Sequence, residues 1–344
     1  MIKNLRLKSL KSLHRIVALL LLLFWLQACG RQLEFEVPKT ENMRWFKGNT
    51  HTHTTMSDGD SPPEYVAQWY KDHGYRFLVL SDHNVLVDPS TLANLVDSTF
   101  LLIPGEEVSS RFQKKPVHVN GLNISRLVKP EYDSTLVGTI QKNVDAVRRA
   151  NGVPHINHPN FRWAFDHQTL FKIRDDRLLE IFNGHPLVNN FGGGGWPSME
   201  QVWDHLLSAD RRIYGIAVDD AHHFQGEFSA DGSNPGRGWV VVRAHHLEAS
   251  EIVQNLEAGL FYASTGVTLE DVIIQSQKIE IRIQPQNDFK YRTEFFGKNG
   301  KVLFTTESNP AVYELHNNTK YVRAKVAASS GAVAWVQPVF VRSK

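Results

Sequence analysis

The chain of 344 residues has a single cysteine, Cys29. An internal disulfide is impossible, and a thiolate metal cluster is excluded. Long hydrophobic runs are also lacking: the longest, residues 16–26, is shorter than the roughly 20 residues a spanning helix needs. Charge of one sign is not in excess either. The formal net charge is +2, but the first 28 residues hold five basic side chains (Lys3, Arg6, Lys8, Lys11, Arg15) and no acid, leaving 33 basic against 36 acidic residues beyond them. Bulk charge gives no support to a basic nucleic-acid-binding surface, and no stable nucleic-acid partner is expected. Repeats with a period of roughly 20 to 50 residues are absent. The one low-complexity patch, four glycines at 192–195, lacks the spacing of a dinucleotide fingerprint or phosphate loop and reads as a flexible loop or lid. With 42% hydrophobic and 22% charged residues, the chain has an ordinary globular composition, which rules out disorder, collagen and coiled coil.

The basic N-terminus and the short apolar run together match a secretory signal. The following Leu26-Gln27-Ala28-Cys29-Gly30 resembles the lipobox of bacterial lipoproteins, which implies a cleaved signal over residues 1–28 and a lipid on Cys29. Residues 29–43 then read as a lipid-anchored tether. The expected address is the bacterial cell envelope with membrane attachment through the N-terminal lipid, and the lack of Asp after Cys29 favours the outer over the inner membrane.

Beyond residue 43, short strand-like runs alternate with helical stretches. Strands are expected at 45–50, 75–80, 100–103, 117–124, 153–157, 178–182 and 213–218. Helices are expected from 61 to 74, where Ser-Pro-Pro-Glu supplies cap and first-turn signals, and over 89–96, 137–150 and 198–209. This alternation predicts an α/β domain with a parallel sheet, and about seven βα units predict a barrel closed or nearly closed on itself over residues 44–265. From 266 to 344 the pattern changes to strand-like runs separated by turns, a small antiparallel β-sandwich.

Histidine is where the chemistry gathers. There are 16, roughly twice the number average composition would supply. His51 and His53 lie two apart at a strand end and so face one side, with Asp58 following in Ser57-Asp58-Gly59. Asp82-His83 close the second strand, Glu106-Glu107 follow the third after Pro104-Gly105, His118 lies in the fourth, His158-Pro159 close the fifth and Asp220-Ala221-His222 close the last. In a βα barrel these positions converge at the carboxyl mouth.

This series of six segments, in this order, resembles the PHP (polymerase and histidinol phosphatase) family of metal-dependent phosphoesterases over about residues 44–224. Lys47-Gly48-Asn49 and the Trp-x-x-Pro pattern from Trp335 to Pro338 look like the carbaryl-esterase-like branch of that superfamily. The resemblance implies a distorted (β/α)7 barrel with up to three divalent metal ions. His51 and His53 would hold a first ion with Asp220 and the glutamate, the glutamate would bridge to a second held by His118 and His158, and Asp58, His83 and His222 would hold a third. Imidazoles mixed with carboxylates suit Zn²⁺, Mn²⁺ or Fe²⁺.

Alternation along an extended segment lets Asp220 and His222 face one cluster while Asp219 does not. It also lets only one of Glu106 and Glu107 point inward, and the family's Pro-Gly-x-Glu spacing selects Glu107. Asp82 reads equally as a carboxylate supporting a ligand and as a strand-end acceptor. His155 reads as packing, and His73, His167, His205, His245, His246 and His316 as solvated or capping residues. His185 and His223 are candidates for a substrate contact or general acid, and Arg162 for a clamp on an anionic group beside Trp163.

The expected reaction is metal-assisted hydrolysis by activated water, with no covalent protein nucleophile. A small-molecule or nucleotide-like phosphoester is the first substrate class, and a carboxylic ester, carbamate or amide the second. A non-catalytic, metal-dependent surface receptor is the reading from another class. The oligomeric state is not legible.

Overall fold

The computed structural model describes residues 33–316 and 319–343. The signal segment, Cys29 and its lipobox lie outside the described residues. Sixteen elements build the first part of the chain: β1 (Leu33–Phe35), β2 (Arg44–Asn49), α1 (Pro63–Asp72), β3 (Phe77–Leu78), β4 (Leu101–Leu102), β5 (Gly105–Phe112), β6 (Lys115–Leu122), α2 (Leu136–Arg149), β7 (Val153–Ile156), α3 (His167–Leu170), β8 (Leu178–Asn183), α4 (Met199–Ser208), β9 (Tyr214–Val218), β10 (Trp239–Ala244), α5 (Ala249–Glu257) and β11 (Phe261–Ser264). Seven strands follow: β12 (Leu269–Gln275), β13 (Lys278–Ile283), β14 (Tyr291–Gly297), β15 (Lys301–Thr306), β16 (Ala311–Glu314), β17 (Tyr321–Ala328) and β18 (Val333–Ser343).

The helices follow local signals. α4 starts on a capping box in which Ser198 and Gln201 satisfy each other's backbone N–H, and α2 on Thr135, whose hydroxyl accepts from Gly138 N. The segment at 89–96 makes only a 3₁₀ turn, Pro89–Leu92, capped by Asp88.

The expected (β/α)7 barrel is not what forms. Among the described residues there are five α-helices, and the strands fall into three sheets. One sheet runs β15-β14-β17-β18-β11-β10-β2-β3-β4 with β1 on β18, the second β5-β6-β7-β8-β9, and the third β12-β13-β16. The count of seven units fails because β5, β6 and β7 pair antiparallel, β5 and β6 as a hairpin with a two-residue turn and β6 and β7 with α2 between them. Only β2-β3-β4 and β7-β8-β9 are parallel runs. The two ladders meet beyond their carboxyl ends through a single bridge, Thr52 with Ala221, and a second bridge joins His83, after β3, to Glu107 within β5.

Gly48 shows how tightly the β2-β3 pair is packed: a Cβ there would lie 2.3 Å from the Phe77 ring. The last seven strands and β11 share a separate apolar core of Ile279, Ile281, Phe295, Tyr313 and Val322, to which Phe35 of β1 also contributes. Residues 33–35, within the stretch read as a tether, are thus a strand on β18. Arg323 of β17, 2% exposed, locks this part to α4 through two hydrogen bonds to Asp204, at 2.7 and 2.6 Å.

Candidate metal centre

Pairing beyond the strand ends gathers the site. After β2 the chain continues extended, with Asp220 N donating to His51 O and His53 N to Ala221 O, both at 2.9 Å. That parallel contact sets His51, His53, Asp220 and His222 side by side. On the other flank Ser81 N donates to Thr52 O, and Glu107 N to Ser81 O. The β5-β6 hairpin brings His118 to Glu107, with Nδ1 2.9 Å from Oε1, and β7 delivers His158, whose Nε2 is 3.3 Å from the same oxygen.

All nine expected ligands come together. Their donor atoms fall into four overlapping groups: His53, Asp58, His83 and His222; His51, His158 and Asp220; His51, His53 and Glu107; and His83, Glu107 and His118. The partition differs from the allocation implied by the resemblance, since His53 also faces the outer group and His158 stands with His51 and Asp220. His51 Nε2 and His53 Nε2 face each other at 3.1 Å, and Asp220 Oδ1 lies 3.2 and 3.1 Å from them.

Two of the expected ligands sit in backbone conformations that L-residues seldom adopt: His158 has φ 22° and Asp220 φ 50°. Each costs roughly 1 to 3 kcal/mol, held by the surrounding contacts. Ser233 Oγ donates to Asp220 O, and Asn183 Nδ2 to Asp220 Oδ2 at 3.0 Å.

The charge balance is that of a site built for cations. Burial lowers the His51 imidazole, but the carboxylates of Asp220, Glu107 and Glu180 outweigh it and hold the ring well above its usual value. Burial and the nearby His222 push His53 down to about 4. The two facing rings are thus biased in opposite senses, His51 toward the protonated form and His53 toward the neutral one. Glu107 and Asp220 are fully buried, which raises them, yet the surrounding imidazoles hold both well below the usual carboxylate range. Clustered nitrogen and oxygen donors with buried anionic charge fit divalent ions.

Asp219 points away from the cluster, accepting from Tyr70 Oη at 2.8 Å and from the backbone N–H groups of Gly236, Arg237 and Gly238. Glu106 also turns away, to Val128 N, and burial lifts it to about 7. Asp82 accepts from Thr54 N, Thr54 Oγ1 and Ser57 Oγ at 2.8, 2.8 and 2.6 Å, bracing the loop that carries His53 and Asp58. His155 is buried, its Nδ1 3.8 Å from Glu180. His185 stands at the mouth, its ring 5.5 Å from that of His222, with Nδ1 accepting from Leu187 N. The neutral ring therefore carries its proton on Nε2. His223 is exposed and lies outside the four groups; its Nδ1 accepts from Ser233 N. Arg162, φ 50°, lies over Phe161 and lines a cleft of about 880 Å³ beside His118. Trp163, next to Arg162, meets Trp196 of the glycine loop with ring centroids 5.6 Å apart and planes tilted by 40°.

Sequence reasoning missed Glu180. It sits mid-strand in β8, accepting from His51 Nδ1 at 2.6 Å, His158 N at 2.8 Å and Asn183 Nδ2 at 2.9 Å. Its signal was a lone carboxylate in the apolar run Leu-Leu-Glu-Ile-Phe. Asn157, which donates to Glu107 Oε1 at 2.7 Å, was missed too.

No family model matches the chain, and no curated protein matches it in sequence. Among solved structures, it is similar to a two-domain protein from Bacteroides vulgatus containing a predicted PHP-like metal-dependent phosphoesterase, with TM-score 0.51 and 16% identity over 87% of this chain and 94% of that one. A putative metal-dependent phosphoesterase from Bifidobacterium adolescentis matches with TM-score 0.38, 14% identity and 54% and 89% coverage. An amidohydrolase from Chromobacterium violaceum, solved with sulfate and no metal, matches with TM-score 0.37, 15% identity and 52% and 88% coverage. The likeness to the first is one of fold, and it runs through both parts of the chain.

Proposed function

We propose that this chain is a metal-dependent hydrolase of phosphoesters. The observation that carries the reading is the convergence of His51, His53, Glu107, Asp220 and four further histidines on one buried point, with two imidazole Nε2 atoms face to face at 3.1 Å. His51, His53, His158, Glu107 and Asp220 would hold the inner ions, and His83, His118, His222 and Asp58 the outer edge. When bound, divalent ions supply the charge that polarises the ester and brings the pKa of water to about 7. Zn²⁺, Mn²⁺ and Fe²⁺ all suit these donors.

The chain's own residues select and orient the substrate. Arg111, Lys114 and Arg162 line the cleft beside His118 with no carboxylate among its lining residues, so an anionic ester is drawn in and a neutral one is not. This observation favours a phosphoester over a carboxylic ester, carbamate or amide. His185, with its proton on Nε2, would donate to an oxygen of the substrate or leaving group at the mouth. A lipid on Cys29 would hold the enzyme at the cell envelope, most simply the outer membrane, facing extracytoplasmic substrates.

The test is an assay of the chain loaded with Mn²⁺ or Zn²⁺ on bis-p-nitrophenyl phosphate, p-nitrophenyl phosphate and p-nitrophenyl acetate. Turnover of a phosphate ester that disappears in His51→Ala/His53→Ala is expected. Turnover of the acetate alone would move the assignment to a carboxylesterase, and tight metal binding without turnover of any ester would favour the receptor.

A further inference from the structure

A second cavity, of about 570 Å³, lies between α4, the segment after Asn190, and strands β17 and β18. It holds two buried N–H donors with nothing to give to. Arg323 spends Nε and Nη2 on Asp204, but Nη1 makes no hydrogen bond, its nearest carboxylate oxygen being Glu200 Oε2 at 3.7 Å. Trp335 is 4% exposed, and its Nε1 also has no partner. A buried donor left unpaired is costly and seldom retained without a use.

The charges around these donors cancel. Arg323 is matched by Asp204, and Lys325 reaches Glu200 at 2.5 Å. A polyanion therefore gains no net attraction, whereas a neutral ligand rich in hydroxyl groups gains both acceptors for the N–H groups and donors for the carboxylates. Aromatic surface is available as well. Phe191 is 86% exposed, the most exposed large apolar side chain among the described residues, and it stands at the rim of this cavity. An apolar ring face against such a side chain and hydroxyl groups among paired charges are what a sugar ring presents.

The geometry points to a saccharide-binding subsite in this cavity. It adjoins a cleft of about 670 Å³ with which it shares Phe182, Asn190 and Phe191, and that cleft reaches His185 at the mouth of the histidine cluster. The subsite thus holds the sugar portion of a substrate whose ester lies at the cluster. This link to substrate rests on the hydrolase reading; the binding of sugar does not.

The test is isothermal titration of the full-length, metal-stripped chain with glucose, galactose, mannose, N-acetylglucosamine and their β-linked disaccharides at millimolar concentration, with acetate and phosphate titrated in parallel. A saturable isotherm with at least one sugar is expected, weakened about tenfold in Trp335→Phe, which keeps the ring and removes the N–H, and likewise in Phe191→Ser. Thermal melts of the variants establish that they are folded. Silence with every sugar in a folded chain, a response to acetate or phosphate alone, or sugar binding untouched by either substitution would overturn the inference. Phosphoester turnover measured on the metal-loaded preparation keeps the two readings apart: turnover without sugar binding sinks this inference only, and sugar binding without turnover sinks the hydrolase only.

Discussion

The inner and outer halves of the histidine cluster differ in what stands behind each ligand. Inside, His51 is held by Glu180, His158 by the backbone contact to the same carboxylate, Asp220 by Asn183 and Glu107 by Asn157. Outside, Asp58 has a side chain 55% exposed, and its ring partners His83 and His222 stand 3.5 and 3.2 Å away. His83 Nδ1 has Ser109 Oγ at 2.6 Å and Glu107 behind it, while His222 Nδ1 meets the Asp220 carbonyl. The inner donors are fixed by these contacts, so an ion there would meet a preorganised cage. An ion at the outer edge would have to organise an exposed carboxylate itself and compete with water for it. The account therefore assigns tight binding to the inside and exchangeable binding to the outside.

Four substitutions would break or sharpen that contrast. His51→Ala has the largest expected effect, because His51 belongs to two of the four groups. Phosphoester turnover should fall by more than about 100-fold, beyond the loss of a supporting contact, and elemental analysis should find the inner ions gone. Glu180→Gln keeps the size and removes the charge behind His51. Affinity for the inner ions, read by competition with a chelator, should drop about 10- to 100-fold while the outer ion is retained. Asp58→Asn should do the reverse: one equivalent of metal is lost to dialysis, and the rest stays through the same treatment. If Glu180→Gln and Asp58→Asn weaken every equivalent alike, the two halves are one unit and the contrast is wrong. Ser109→Ala, at the small end, removes one hydrogen-bond partner of His83 and should shift outer-ion affinity by about fivefold, a change visible in a titration with Mn²⁺ followed by electron paramagnetic resonance.

Much of this cluster was legible in the sequence, because its ligands sit at strand ends where residue type and alternation carry information. His51 and His53 two apart and Glu107 against Glu106 follow from the pleat and the resemblance, whereas Asp220, at φ 50°, faces the cluster from a backbone that is not extended, so alternation is not the reason it does so. Glu180 was not legible. A single carboxylate inside Leu-Leu-Glu-Ile-Phe reads as part of a buried strand, and only its partners on β2 and β7, distant in sequence, give it a role. The fold was legible locally and misread globally. Strand β5 was overlooked because Glu106 and Glu107 make its start look like a loop, and with it went the β5-β6 hairpin that interrupts the βα alternation. Strands β10 and β11, which carry the sheet from β2 across to β18, owe their place to pairings such as Tyr262 with Val336 that no local pattern encodes. The buried Arg323, unremarkable in Tyr-Val-Arg-Ala-Lys, became visible only when α4 was laid against β17.

The most direct test of the central claim is the metal content of the purified chain, by elemental analysis, beside His51→Ala/His53→Ala. The account predicts at least two equivalents of a divalent transition metal in the parent chain, of which a chelator removes one fraction quickly and the other slowly, and less than one in the variant. A parent chain that holds no metal after incubation with Zn²⁺, Mn²⁺ and Fe²⁺, or a variant that holds as much as the parent, would contradict it.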